Sequence, residues 1–196
     1  GSEEKLDMLQ YCVQTLTERG YVFIGMDHFA KPDDELSIAL KEGFLQRNFQ
    51  GYSTYADCDL VAIGVSSIGK IGSTYSQNER DIDAYYAALD SGHLPIMRGY
   101  QLNQDDILRR NIIQDLMCRF SLDYRIYESV FGIPFSRYFA AELEDMKQLE
   151  TLGLVRLKPH SLTVTPKGRF LIRNIAMVFD YHLRHKETKA KYSQTV

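Results

Sequence analysis

The chain opens with an amphipathic helix that ends at a glycine and leads directly into a short apolar strand. Apolar residues recur mostly at spacings of three and four over residues 5–19, which predicts a helix ending at Gly20. Residues 21–26 are β-branched and aromatic, which is typical of a buried strand. A helix, a glycine and a buried strand in this order indicate the return half of a parallel β/α unit. We therefore expect an α/β fold for the first half of the chain.

A second apolar run extends this interpretation. Residues 59–65 are predicted to form another buried strand, which feeds a turn with glycines at positions 69 and 72. Residues 33–46 and 78–91 have helical spacing, and residues 48–54 suit a short strand or an ordered loop. Two or three parallel strands need further strands at their edges and helices on both faces. The first half is thus expected to be an incomplete unit.

The second half has a different pattern of elements. Helices are predicted over residues 105–120, 124–130 and 136–152, a two-stranded ribbon over 154–158 and 161–165, and a last helix from Pro166 to Arg184. This order predicts a mainly α, winged-helix-like unit. The residues from Lys186 onward are polar and are expected to fray.

Charge separates the same two halves. Residues 1–99 carry 8 Lys and Arg against 15 Asp and Glu, whereas residues 100–196 carry 15 against 11. We therefore predict one domain over 3–99 and another over 100–196. Gly1 and Ser2, without an initiator Met, are interpreted as a tag scar, so the natural polypeptide is expected to begin elsewhere.

The three cysteines indicate a reducing compartment and no metal site. Cys12, Cys58 and Cys118 are an odd number at wide spacings, which argues against a disulfide framework and against a local metal clip. No stretch approaches the roughly 18 consecutive apolar residues that a membrane span requires. A cytoplasmic protein without a membrane partner is expected.

The residues argue against nucleotide hydrolysis and against DNA binding. Residues 64–71 match a phosphate-binding loop until Ile71, which lacks the hydroxyl that would coordinate magnesium, so nucleotide hydrolysis is not favoured. The helix before the ribbon is acidic, with four Asp and Glu against Arg137 and Lys147, and DNA phosphates would repel it. We therefore expect no nucleic-acid partner.

Five residues are candidates for a site. Asp27 and His28 follow a strand end, where they suit acid–base work, ligand binding or a structural hydrogen bond. Phe49 beside Gln50 suits stacking and edge recognition of a heterocycle, although the residues alone favour core packing for Phe49 and for Ile68.

Several separated runs resemble oxygen-independent coproporphyrinogen III oxidase. These are Gly-Met-Asp-His-Phe-Ala at 25–30, Pro-Asp-Asp-Glu-Leu at 32–36, Arg-Asn-Phe-Gln-Gly-Tyr at 47–52 and Gly-Arg-Phe-Leu-Ile-Arg-Asn-Ile at 168–175. The resemblance covers essentially the whole chain after the tag. It implies a radical S-adenosylmethionine enzyme that converts two propionates of coproporphyrinogen III to vinyl groups in haem synthesis. It also implies the C-terminal piece of a partial (β/α) barrel followed by a helical domain.

The resemblance also bears on the site and its cofactors. It implies that Phe49, Gln50 and Ile68 line the S-adenosylmethionine and active-site region. It gives less support to a functional role for Asp27 and His28. The family's Cys-x-x-x-Cys-x-x-Cys run, which holds a 4Fe-4S cluster open to S-adenosylmethionine, is absent from this sequence. We therefore expect the cluster-bearing N-terminal barrel portion to be a missing partner, and the present chain alone to be inert and without bound cofactors.

Two further expectations follow. Cut parallel strands would leave apolar edges, so the chain is expected to self-associate. An alternative function is a haem-binding, chaperone-like or partner-binding module of the same superfamily, although such cousins are expected to lack the runs at 25–30 and 48–52.

Overall fold

A computed structural model describes residues 2–55 and 58–185 as helices and short antiparallel strands. The helices are α1 Ser2–Glu18, α2 Glu35–Glu42, α3 Ile82–Asp90, α4 Gln104–Arg119, α5 Tyr124–Phe131, α6 Phe135–Tyr138, α7 Ala140–Thr151, α8 Pro166–Arg169, α9 Ile172–Met177 and α10 Tyr181–Arg184. The strands are β1 Val22–Gly25, β2 His28–Ala30, β3 Gln46–Asn48, β4 Gly51–Ser53, β5 Ile68–Ile71, β6 Thr74–Asn78, β7 Ile96–Gln101, β8 Ser121–Asp123, β9 Val155–Lys158 and β10 Ser161–Val164. Gly1 of the predicted tag scar and the tail predicted to fray lie outside the described residues.

The chain divides into two compact units. One comprises residues 1–56 and 108–196, and the other comprises residues 57–107. The predicted boundary near residue 99 does not coincide with this division, and the domain assignment in the whole protein stays a prediction. Within the described residues no helix has the length and apolar character to cross a membrane.

The prediction of parallel strands is wrong for the described residues. Every strand pair found in them is antiparallel. Met26 has a φ of 56° and Gly25 a φ of 157°, so the chain reverses between β1 and β2 and forms a hairpin. A parallel pair would instead need a crossover of a dozen or more residues.

The predicted strand over residues 59–65 is also wrong. Only Leu60 pairs there, as an isolated bridge to Lys70, and Ile63 is 83% exposed. Gly64 and Ser66 take left-handed φ values of 98° and 58°, which bend the segment away from extended geometry. The second unit is instead a three-stranded sheet in the order β5-β6-β7, accompanied by α3.

The first unit holds the hydrophobic core. Its centre is aromatic, because Phe135 stacks on Tyr124 at 4.3 Å between ring centroids and Phe139 packs on Phe135 at 4.8 Å. Phe139 is fully buried, and the chain breaks there into α6 and α7 rather than forming one predicted helix. Around this centre the core takes in residues of β1, β2 and α2 as well as helices and strands of the second half of the chain.

The predicted ribbon is confirmed and has a third strand. β9 and β10 pair antiparallel, and β8 joins the other edge of β10. The helix predicted from Pro166 to Arg184 is three short helices, α8, α9 and α10. Asp180 begins the last of them, because its carboxylate accepts a hydrogen bond from the Leu183 backbone N–H and so caps the N-terminus of α10.

Candidate functional site

Three of the sequence runs that carry the resemblance converge in the first unit. The hairpin of β1 and β2 supplies Gly25 and His28, the hairpin of β3 and β4 supplies Tyr52, and the end of α8 supplies Arg169. Gly25 and Arg169 are separated by more than a hundred residues in the chain, yet both face the same small volume around Tyr52. We call these four residues the Tyr52 cluster.

Tyr52 anchors the cluster to α4. Its hydroxyl donates a 3.1 Å hydrogen bond to the Met117 carbonyl oxygen. A Cβ on Gly25 would overlap that hydroxyl, so this approach requires glycine. Burial raises the pKa of Tyr52 to about 12, and the neighbouring Cys118 acts in the same direction. Tyr52 is therefore a neutral hydrogen-bond donor at physiological pH.

Arg169 reaches into the cluster from the other end of the chain. Its Nη2 donates to the Phe23 carbonyl oxygen at 3.1 Å, and its guanidinium lies 4.1 Å from the ring centroid of Phe120. Burial lowers its pKa, while Tyr52 acts in the opposite direction. Within the described residues, 2–55 and 58–185, no carboxylate forms an ion pair with Arg169. Backbone carbonyls and an aromatic face hold this cation.

Asp27 and His28, the candidate acid–base pair, lie at the rim of the cluster. His28 Nδ1 and Asp27 Oδ1 are 2.8 Å apart, within ion-pair distance but outside hydrogen-bond angles. The His28 ring meets Tyr52 edge-on at 5.1 Å, and its Nε2 lies 3.1 Å from where a Cβ of Gly51 would stand. The Asp27 side chain is 81% exposed. The pair can orient an imidazole toward a ligand at the surface.

Phe49 and Gln50 form the two-residue loop between β3 and β4. The Gln50 backbone N–H donates to Asn48 Oδ1 at 2.8 Å, which stabilises the tight turn. Phe49 is 52% exposed, so the core packing favoured by the residues alone is wrong for it. A ring held on a short hairpin can stack on a flat ligand.

Ile68 begins β5 in the second unit, opposite Gln77 of β6. The turn before it runs into a strand and not into a helix, so the helix N-terminus of a phosphate-binding loop is absent from this part of the described chain. Lys70 donates to the Cys58 carbonyl oxygen at 3.4 Å, and Arg98 donates twice to Gln77 Oε1. Both cations therefore bond to oxygen atoms of the protein, which is not the arrangement of a phosphate-binding loop.

Known proteins match this chain closely. The family model described as HemN C-terminal domain matches residues 102–171. The oxygen-independent coproporphyrinogen III oxidase of Synechocystis sp. is 48% identical over 199 residues, and that of Salmonella typhimurium is 46% identical over 195 residues; each alignment covers all of this chain and 43% of the relative. A solved structure of coproporphyrinogen III oxidase (HemN) from Escherichia coli, described as a radical SAM enzyme, superposes with a TM-score of 0.88 at 47% identity, over 93% of this chain and 42% of that one.

The chain is therefore similar to oxygen-independent coproporphyrinogen III oxidases. It spans about two fifths of the length of the curated relatives above, and it matches the C-terminal part. The predicted family resemblance is confirmed. The matched domain contains Arg169 of the Tyr52 cluster.

The residues of this chain do not fit the iron–sulfur cluster of a radical SAM oxidase. The Cys118 thiol is buried, and burial raises its pKa to about 12, so it is a poor source of thiolate. Cys12 and Cys58 are exposed on separate units. Across residues 2–55 and 58–185 no group of three or more His, Cys, Asp or Glu could hold a metal ion.

Sequence reasoning singled out five site residues but did not identify Tyr52 or Arg169 as members of one cluster. Both stand inside runs that carry the family resemblance, at 47–52 and 168–175. Tyr52 and Arg169 each follow a glycine, and a glycine before a large side chain was a signal for close packing. Their meeting depends on the tertiary fold.

We predict that Tyr52→Phe destabilises the chain by about 1 kcal/mol at pH 8, because the hydrogen bond to the Met117 carbonyl is lost. The deficit should shrink as the pH rises from about 10 to about 12, since the unfolded phenol releases its proton before the native one and wild-type stability therefore falls in that window. Urea unfolding across pH 8–11 measures both effects. Tyr11→Phe, at an exposed position, is the matched control, and equal effects of the two changes would contradict the anchoring role.

Proposed function

We propose that this chain is part of an oxygen-independent coproporphyrinogen III oxidase that oxidatively decarboxylates two propionates of coproporphyrinogen III to vinyl groups by radical S-adenosylmethionine chemistry. The observation that carries the proposal is that 93% of this chain superposes on a radical SAM coproporphyrinogen oxidase at 47% identity. The activity belongs to the whole protein, and its location is proposed to be the cytoplasm. The 4Fe-4S cluster would be held by residues outside this chain and would supply the electron that cleaves S-adenosylmethionine.

Phe49, Gln50 and Ile68 are proposed to contact S-adenosylmethionine in the whole protein. The half-exposed ring of Phe49 offers a stacking face, and the Gln50 amide offers two donors and an acceptor for a heterocycle edge. Ile68 offers an apolar contact beside a glycine-bearing turn. Asp27 and His28 are proposed as a polar pair for acid–base work or ligand binding, supported by their 2.8 Å separation.

The finer fold assignments are proposals for the whole protein. We assign the first half to the end of a partial (β/α) barrel and the second half to a winged-helix-like domain. The order helix, strand, three helices and two-stranded ribbon in α4, β8, α5, α6, α7, β9 and β10 supports the latter. Exposed carboxylates on α7, including Glu144 and Glu150, would repel DNA phosphates. Porphyrinogen substrate and the N-terminal barrel portion are the partners proposed, and self-association of the isolated chain stays a prediction.

We predict that Phe49→Ala weakens S-adenosylmethionine binding to the whole protein about tenfold, since base–aromatic stacking of this kind contributes about 1–3 kcal/mol. The dissociation constant, measured by calorimetry in the absence of reductant, is the readout. Phe44→Ala provides a control at another partly exposed phenylalanine of the first unit. Unchanged affinity in Phe49→Ala would remove this residue from the site.

The proposed activity itself is tested by anaerobic turnover of coproporphyrinogen III. The whole protein should release carbon dioxide and consume S-adenosylmethionine, and the isolated chain should do neither. Tight stoichiometric haem binding without decarboxylation would favour the chaperone-like alternative instead.

A further inference from the structure

The turn before Ile68 is held from one side chain in the neighbouring strand. Asn78, at the end of β6, is only 4% exposed. Its Nδ2 donates to the Gly64 carbonyl oxygen at 3.0 Å and to the Ala62 carbonyl oxygen at 3.3 Å. Its backbone N–H donates to the Ser67 carbonyl oxygen at 2.9 Å. One residue therefore binds the turn on both sides of its left-handed bend.

This bend does not form by local preference alone. Ser66 has a φ of 58°, in the left-handed region that is strained for a residue other than glycine. Its N–H donates to the Glu79 carbonyl oxygen, and its carbonyl accepts from the Gln77 side chain at 3.1 Å. The Gly64 N–H donates to the Tyr85 hydroxyl at 3.1 Å. The neighbouring β6 and α3 thus compensate the strained backbone with hydrogen bonds.

The turn presents apolar side chains on this fixed backbone. Ile63 is 83% exposed and Val61 is 68% exposed, although the carbonyls around them are bonded. Two of these carbonyls would lose their donor if Asn78 were replaced, so its hydrogen bonds help the turn to keep its shape. A rigid apolar turn loses less conformational entropy when a ligand contacts it.

We propose that Asn78 is a positioning residue that holds the turn over residues 62–67, and through it Ile68, in the shape that contacts S-adenosylmethionine. The proposal rests on the proposed function for the role of Ile68. Both amide hydrogen bonds of Asn78 go to backbone carbonyls of the turn, so the role proposed for it is to position that turn.

The test compares Asn78→Asp with wild type in the whole protein. The change keeps the size of the side chain and removes both donors, so hydrogen–deuterium exchange across residues 60–67 should become about tenfold faster or more. The dissociation constant for S-adenosylmethionine should rise about tenfold, with turnover at saturating cofactor retained within about twofold. Asn111→Asp makes the same chemical change at an exposed position of α4 and should alter neither quantity.

Tyr85→Phe supplies a milder second variant, which removes only the acceptor of the Gly64 N–H. It should accelerate exchange in the same segment and weaken cofactor binding by a smaller factor, and it decides the matter if Asn78→Asp does not fold. Unchanged exchange, or faster exchange with wild-type cofactor affinity, would overturn the positioning role while leaving the oxidase proposal intact. Absence of S-adenosylmethionine binding by the wild-type protein would instead refute the proposed function.

Discussion

Gly168→Ala should destabilise the first unit by about 3 kcal/mol, at the upper end of what overpacking costs. A Cβ at this position would overlap the Leu154 carbonyl oxygen and would stand 2.9 Å from Val164 Cγ1. Leu154 cannot simply move aside, because its carbonyl also accepts hydrogen bonds from the backbone N–H and the hydroxyl of Thr165. The start of α8 would have to withdraw from the strands. Urea unfolding of the 196-residue chain measures the loss.

The Gly168 substitution should also disturb the Tyr52 cluster. Arg169 is the next residue, and its contacts with Phe120 and the Phe23 carbonyl depend on where α8 lies. Gly99→Ala is the matched control, since the nearest atom to its added Cβ, the Tyr75 carbonyl oxygen, is at an ordinary 3.5 Å. It should change stability by less than about 1 kcal/mol. Equal costs for the two substitutions would show that the close approach at Gly168 is not rigid.

Glu142→Leu should cost about 3–5 kcal/mol, because it removes the Glu142 carboxylate from its buried pair with the Arg109 guanidinium. Arg109 Nη1 and Glu142 Oε1 are 2.8 Å apart, and the two side chains are 10% and 6% exposed. Arg109 also donates to the Phe179 carbonyl oxygen at 3.2 Å and lies 5.0 Å from the Phe139 ring centroid. The pair therefore ties α4 and α7 to the segment between α9 and α10. Chemical unfolding at neutral pH gives the free energy directly.

Two companion variants separate the buried charge from the substitution itself. Glu144→Leu removes a carboxylate from the same helix, but its 2.6 Å pair with Lys147 is exposed, so the change should stay within about 0.5 kcal/mol. The double variant Arg109→Met with Glu142→Leu removes both charges and should recover most of the stability lost in Glu142→Leu. A double variant as unstable as Glu142→Leu would mean that packing, not the loss of the buried ion pair, sets the cost.

Local patterns predicted most helices and the ribbon. The helix predicted over residues 105–120 corresponds to α4, and the glycine and proline signals around 153–166 correspond to the ends of α7, β9, β10 and α8. Each of these signals acts within a few residues, through capping, turn geometry or the helical period. They remain informative because no distant partner has to be known.

Predictions that required a partner failed or stayed incomplete. The apolar run at 59–65 has the composition of a strand, yet Asn78 and Tyr85 bind its backbone as a turn. The run at 21–26 was correctly a strand, but its pairing direction depended on the left-handed Met26. Composition records side-chain type and cannot report which backbone groups a distant residue will satisfy.

By itself the sequence indicated the resemblance to oxygen-independent coproporphyrinogen III oxidases, through four separated runs in order, and the type and approximate bounds of most helices. It also showed that the family's cysteine triplet is absent from this chain. Only the tertiary structure decided that Gly25, Tyr52 and Arg169 share one cluster, that Arg109 and Glu142 form a buried pair, and that Asn78 holds the turn before Ile68. The reason is physical: such contacts form between residues far apart in the chain, and their energies depend on burial and mutual geometry that no local pattern encodes.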